Sequence, residues 1–133
     1  MTWHSSDRDI IPIVDWVTKD AHDTFSKTAD YAETEAASRP AFGSKPTVNY
    51  VEFEDTKGPL GAPITEFVTF TLKEGNTIAQ LEPLVQELHQ GLEGTPKFHG
   101  DSWAPIIGKP NVYYGILGWD TVKASVHLDA CWR

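Results

Sequence analysis

Strict alternation of side chains marks the clearest strand of the chain, over residues 64–72. One face carries Ile64, Glu66, Val68, Phe70 and Leu72, and the other carries three threonines and a phenylalanine. A period of two is typical of a strand with one buried face. Shorter apolar or alternating segments predict further strands at residues 10–16, 47–54, 98–103 and 111–119.

A different spacing, three or four positions, predicts the helices. The longest is expected over residues 78–92, where leucine, isoleucine and valine recur at that spacing. Thr77 and Gln80 have the pattern of a capping box at its start, and Pro83 inside the run predicts a kink or a later start. Thr18 is the expected N-cap of a helix over residues 19–37, and residues 121–132 are predicted to form a third helix.

The predicted elements run β-α-β, then a loop rich in Gly and Pro at residues 55–63, then β-α-β-β-α. Short connections between mixed elements favour the α+β class, with helices on one face of an antiparallel sheet. A length of 133 residues is that of one domain, so residues 1–133 are expected to share a single fold.

Charge and cysteine content narrow the possible partners. Lys and Arg number 11 against 19 Asp and Glu, a net charge of −8 that disfavours nucleic acids and anionic membrane surfaces. Cys131 is the only cysteine, so neither an intrachain disulfide nor a cluster of thiolate ligands is expected. The first residues lack the pattern of a secretory signal, and no apolar run approaches about 20 residues. A cytoplasmic protein is therefore expected.

The chain also resembles itself. Residues 14–22 align with residues 117–125 at an offset of 103, with Trp, Thr and Ala matching in place. The segment from Trp16 to Phe25 resembles the end of the third strand and the second helix of the dimeric α/β-barrel superfamily. Residues 66–75 resemble that superfamily's first strand. The likeness is to the stress-responsive and antibiotic-biosynthesis-monooxygenase-like branches.

This resemblance implies a ferredoxin-like antiparallel sheet in an unusual order. Residues 1–54 correspond to the C-terminal part of a family domain and residues 64–133 to the rest, as in a circular permutation or a trimmed duplication. The missing final strand would then be supplied by residues 47–54. The resemblance also implies a homodimer, in which two sheets cover each other, and a pocket for a small aromatic ligand.

Three residues are the leading catalytic candidates. Glu66 lies on an apolar strand face, where burial of a carboxylate raises its pKa and suits a general acid or base. The phenol of Tyr113, which the resemblance places in the pocket, could donate a hydrogen bond to a substrate carbonyl or phenolate. By the resemblance, Glu66 and Tyr113 stand where plant polyketide cyclases of the family carry pocket histidines. His99 alternates with Asp101 and Trp103, so that an Asp could orient the imidazole.

The resemblance fails at one place. The cyclases use a Tyr and a His of the second helix as their catalytic pair, and those positions fall on Phe25 and Tyr31 here, so the pair is not reproduced. His22 matches a structural position of the family, and His89 falls on the polar side of its predicted helix. No metal-binding spacing of histidines and no nucleotide-binding motif occurs, so neither a metal nor another cofactor is expected.

The sequence therefore predicts a cofactor-independent enzyme for an aromatic or polyketide-like substrate, acting by cyclisation, isomerisation or oxygenation. Glu66 or His99 would remove a proton, and Tyr113 would stabilise the resulting enolate or phenolate. The expected substrate-binding residues are Val68, Phe70, Trp103, Asp101, Tyr50 and Tyr31. The alternatives are a non-catalytic stress-responsive or ligand-binding barrel protein, and haem degradation as in some relatives.

Overall fold

A computed structural model describes residues 11–125 of the chain. The chain folds as two compact units, with the boundary between Thr47 and Val48. Among the described residues, the first unit is helical and the second holds the sheet. None of the helices over this stretch has the length and apolar character that crossing a membrane requires.

Two helices of the first unit replace the single helix predicted over residues 19–37. Helix α1 spans Lys19–Phe25 and helix α2 spans Ala29–Ser38, followed by a 3₁₀ turn at Arg39–Ala41. Thr18 caps α1 as predicted, since its hydroxyl accepts from the backbone N–H of Ala21. The break occurs because Thr28 caps a new helix and donates its hydroxyl to the carbonyl of Phe25, which competes with helix continuation.

The strand predicted over residues 10–16 is not formed in its described part, residues 11–16. Every side chain there is exposed except that of Trp16, which is half-buried against His22 and Phe25. A strand gains its stability from a hydrogen-bonded partner and a covered face. An apolar, β-branched sequence alone does not supply either.

An open antiparallel sheet of three strands forms the centre of the second unit. Its strands are β1 (Ile64–Thr71), β2 (Phe98–Ile106) and β3 (Lys109–Trp119), in the order β1-β3-β2. A tight turn with Gly108 at φ 81° joins β2 to β3, a left-handed conformation that suits glycine. The coarse prediction of an α+β fold with an antiparallel sheet is confirmed.

A short helix, α3 (Lys57–Gly61), lies in the segment that was predicted as a loop. Its residue Pro59 packs against Gly118, which lies between Leu117 and Trp119 on the central strand. These two neighbours face the long helix α4 (Ile78–Leu92). Because neighbouring residues of a strand point to opposite faces, α3 lies on the face away from α4. The expectation that all helices share one face is therefore wrong for this short helix.

Helix α4 covers the other face of the sheet. The capping box of Thr77 and Gln80 is present, so the helix begins where it was predicted and Pro83 lies inside it. Leu92 packs with Leu117 and Trp119 of the central strand, which are each only 1% exposed. This cluster is the hydrophobic core of the unit.

Residues 47–54 make less sheet than predicted. They contribute one isolated bridge, between Val51 and Ile106, and the carbonyl of Tyr50 accepts from the N–H of Ile107. Both contacts are to the end of the β2–β3 hairpin. The segment therefore does not extend the β1 edge as a final strand would. Residues 122–125 are helical as predicted, and the rest of the helix predicted over residues 121–132 lies outside the described residues.

Gly115 of β3 lets the side chains of the two outer strands meet across it. The indole of Trp103 on β2 lies directly over Gly115 and stacks on Phe70 of β1, with ring centroids 5.5 Å apart and an interplanar angle of 11°. A Cβ atom at Gly115 would overlap this indole ring. The absence of a side chain here is thus a packing requirement.

Replacing Gly115 by Ala should lower the free energy of unfolding by about 1–3 kcal/mol, the usual cost of forcing extra volume into a packed site. Gly91→Ala is the matched control, since a Cβ on that exposed residue of α4 meets no atom within 4 Å. Because Ala favours a helix over Gly, this variant should gain about 0.5–1 kcal/mol. Urea denaturation measures both changes, and equal stability of the two variants would contradict the packing account.

Candidate functional site

A histidine and an aspartate from different elements form a hydrogen-bonded pair in the second unit. Asp101 lies on β2 opposite Leu117, facing α4, and its side chain has no exposure to solvent. The Nδ1 atom of His89, from α4, lies 2.5 Å from Oδ1 of Asp101. Because an ionised carboxylate can only accept, the imidazole must donate from Nδ1. The pair ties the helix to the sheet.

Trp103 completes the hydrogen bonds of this carboxylate. Its indole Nε1 donates to Oδ2 of Asp101 at 2.5 Å, so each carboxylate oxygen has its own donor. Asp101 and Trp103 are two positions apart on β2 and face the same side of the sheet, opposite Leu117 and Gly115. A buried carboxylate is costly to desolvate, and charge-assisted hydrogen bonds offset that cost.

The electrostatics of the pair make the imidazole a stronger base. The hydrogen bond to Asp101 raises the pKa of His89 above its ordinary value of 6.5, and the charges of Asp101 and Glu93 act in the same direction, while partial burial opposes them. The Nε2 atom of His89 lies 3.6 Å from Oε1 of Glu93, and 43% of the histidine side chain is exposed. The imidazole thus connects a buried acid to the surface, as a general acid or base does.

Glu66 lies on the predicted face of β1, level with Asp101 across the sheet. It is the register partner of Leu117 on β1, just as Asp101 is on β2. Its Oε2 accepts a hydrogen bond from Nε1 of the buried Trp119 at 2.9 Å. The carboxylate is half-buried and supplies the partner that a buried indole N–H requires. Its catalytic role stays a prediction.

Tyr113 is buried on the same face, opposite Phe70 of β1. Burial raises the pKa of its phenol above the ordinary value of 10, and the charges of Glu82 and Glu54 add to the effect. The phenol is therefore neutral at physiological pH and able to donate a hydrogen bond. That state agrees with the donor role predicted from the sequence, which stays a prediction.

His99 has a different partner from the one that its spacing suggested. The register of β2 shifts between Phe98 and Gly100, which places an irregularity of the strand at His99. Its Nε2 lies 2.5 Å from Oδ1 of Asp120, and both side chains are more than 40% exposed. Asp101 orients His89 instead, so the expected pairing of His99 with Asp101 does not form.

The remaining predicted residues are spread over both units. Val68 packs against the core cluster, and Tyr50 is half-buried in the segment before α3. Tyr31 belongs to the first unit, where its ring meets those of His22 and Phe25 edge-on. That unit also has a cleft of about 350 Å³, lined by residues other than the predicted ones: Glu35, Ser38, Arg39, Phe42, Ser44, Lys45 and Pro46.

His89 is the site residue that sequence periodicity did not identify. Its predicted place was the polar side of the helix, yet it lies four residues after Val85 and three before Leu92, which are both buried. Residues at those spacings share a side of a helix. A histidine at the border of an apolar stripe was the available signal, and its partner 12 positions later could not be read from helical spacing.

Comparisons with known proteins do not assign the chain to a family. A scan against protein-family models, a search of curated proteins and a search of solved structures each found no match to the chain. Within residues 11–125, no three His, Cys, Asp or Glu side chains are grouped closely enough to hold a metal ion.

The pKa of His89 should depend on Asp101. In the native protein we expect His89 to titrate above 6.5, and in Asp101→Asn its pKa should fall towards that ordinary value, because the amide carries no charge. Side-chain NMR across pH 5–9, a range around the ordinary histidine value of about 6.5, measures both. Asp120→Asn is the control, since it removes the carboxylate paired with His99 and should leave the His89 midpoint unchanged.

The same shift gives stability a pH dependence of known sign. A folded pKa above the unfolded one means that the pairing stabilises the fold fully below about pH 6.5 and loses this effect as pH rises through the folded pKa. Denaturation measured across that window should show the decline in the native protein and less of it in Asp101→Asn. A His89 pKa in Asp101→Asn equal to that of the native protein would refute the coupling.

Proposed function

We propose that the chain is a cofactor-independent enzyme that acts on a small aromatic or polyketide-like molecule by acid–base chemistry, with His89 as its general base. The observation that carries the proposal is the pairing of a half-exposed imidazole with a carboxylate that has no solvent exposure. An acid buried in a region of low dielectric acts on its partner more strongly than an exposed one. For that reason His89 is preferred to His99, whose partner Asp120 is exposed.

The chemistry follows from the hydrogen bonds. With Nδ1 donating to Asp101, the lone pair of neutral His89 is on Nε2, the atom on the side of Glu93. Nε2 would take a proton from a carbon next to a substrate carbonyl, leaving an enolate and an imidazolium that Asp101 stabilises. Return of that proton to another atom gives isomerisation, and attack of the enolate on a second carbonyl gives cyclisation.

An aromatic surface beside the pair supports the substrate class. Trp103 and Phe70 are stacked and half-buried on the face that carries Asp101, and Tyr113 is the cross-strand neighbour of Phe70. Aromatic rings offer a flat apolar surface against which an aromatic substrate gains contact. The neutral phenol of Tyr113 would serve as a hydrogen-bond donor to the enolate oxygen.

The topology of the second unit supports the family resemblance. A strand, a helix and two further strands follow one another, and the third strand lies between the first two in the sheet. This split β-α-β arrangement is the one on which ferredoxin-like folds are built. The proposal accordingly includes a permuted or trimmed barrel-like domain, a homodimer and a cytoplasmic location.

A second candidate is a non-catalytic member of the same fold class. One observation favours it: Leu92, Leu117 and Trp119 fill the space between α4 and the sheet, where a ligand pocket of the barrel type would be expected. In that case the His89–Asp101 pair would serve to join α4 to β2. The two candidates differ in whether Nε2 of His89 ever accepts a proton from a bound molecule.

Deuterium uptake tests proton abstraction without knowledge of the natural substrate. Ketones that carry an aromatic ring, such as acetophenone and 2-tetralone, should exchange their α-protons in D₂O faster with the protein than without it. His89→Gln should lose roughly 100-fold or more of the enhancement, the usual contribution of a general base. NMR of the ketone measures the rate.

The control for this experiment lies on the same helix. Glu87→Gln changes an exposed residue of α4 and should exchange like the native protein. Exchange that survives in His89→Gln but disappears in His99→Gln or Glu66→Gln would transfer the role of base to those residues. Absence of any enhancement by the native protein across the ketones would favour the non-catalytic candidate.

A further inference from the structure

Asp101 accepts one donor on each carboxylate oxygen, and only one of these donors belongs to the proposed base. Oδ1 accepts from His89, and Oδ2 accepts from the indole of Trp103. The terminal torsion of an Asp side chain is broad and turns easily. A second donor on Oδ2 therefore determines where Oδ1 points.

Trp103 is itself held firmly in place. Its ring lies over the backbone of Gly115 and stacks on Phe70. It also contacts the core cluster of Leu92, Leu117 and Trp119. The indole N–H is therefore a fixed point from which the carboxylate takes its orientation.

The orientation of Asp101 decides which nitrogen of neutral His89 carries the proton. In a neutral imidazole, the nitrogen that faces a carboxylate carries the proton, because the carboxylate only accepts, and the other nitrogen keeps its lone pair. With Oδ1 aimed at Nδ1, the proton is on Nδ1 and the lone pair is on Nε2. If the carboxylate turned away, the imidazole would become a mixture of tautomers, and part of the protein would lack a basic Nε2.

We propose that Trp103 is a positioning residue, whose indole N–H holds Asp101 in the orientation that keeps His89 in its Nδ1–H tautomer. This role rests on the proposed function for its consequence in catalysis, but not for its effect on the tautomer. It also explains why a tryptophan stands at this position rather than a phenylalanine, since either ring would stack on Phe70 over Gly115.

The decisive variants remove the N–H and keep the aromatic ring. Trp103→Phe does so with a smaller ring, and replacement of Trp103 by β-(3-benzothienyl)alanine does so at nearly the same shape, which guards against a failure to fold. In either variant the ¹⁵N shifts of neutral His89 should change from the Nδ1–H tautomer towards a mixture. The kcat of ketone exchange should fall roughly tenfold to a hundredfold with little change in KM, because orientation rather than binding is lost.

Replacement of Trp119 by the same benzothienyl analogue is the matched control, since it deletes the indole N–H that Glu66 accepts and leaves the N–H of Trp103 in place. It should keep the Nδ1–H tautomer. A folded variant of Trp103 that lacks the N–H and retains the native tautomer would overturn the proposal. If the native protein exchanges no ketone, the proposed function fails, while the tautomer measurement still decides the role of Trp103.

Discussion

The second unit is organised around a carboxylate that has no contact with solvent. Burying the side chain of Asp101 is favourable only if its oxygens are hydrogen-bonded, because an unpaired buried charge costs several kcal/mol or more. One donor comes from α4 and the other from the same strand. That requirement links the position of the helix, the rotamer of Trp103 and the absence of a side chain at Gly115.

A similar hydrogen bond between an indole and a carboxylate occurs on β1, at the other edge of the sheet. Glu66 and Asp101 flank Leu117 on either side of the central strand, and each accepts from an indole N–H, of Trp119 and Trp103 respectively. Indoles suit this environment because they cover apolar surface and offer one directed donor. Asp101 differs in that it also accepts from an imidazole, which is partly exposed and can exchange its proton with solvent. The buried face is therefore apolar in bulk and polar at defined points.

Two elements, α4 and β1, carry signals in their own sequence that were enough to predict them. The capping box of α4 involves residues three apart, and the alternation of β1 reflects one buried face, so both could be read directly. The segment of residues 10–16 could not be read in this way, because a strand depends on a partner that its own sequence does not name. The helix predicted over residues 19–37 failed for a subtler reason, since Thr28 competes for the backbone at its centre.

The candidate site shows the same contrast between signals within one segment and contacts between segments. Strand alternation singled out Glu66, Asp101 and Trp103, and the family resemblance singled out Tyr113. The register places all four on the side of α4. The pairing of His89 with Asp101 depends on how a helix is seated over a sheet, which periodicity does not determine. The two His–Asp pairs differ in the burial of their acids, which depends on tertiary packing. Spacing in the sequence does not show this difference. The exposed His99–Asp120 pair is open to screening by water and salt, whereas the acid of the His89–Asp101 pair is shielded from both. This physical difference is the reason for proposing His89 rather than His99 as the base.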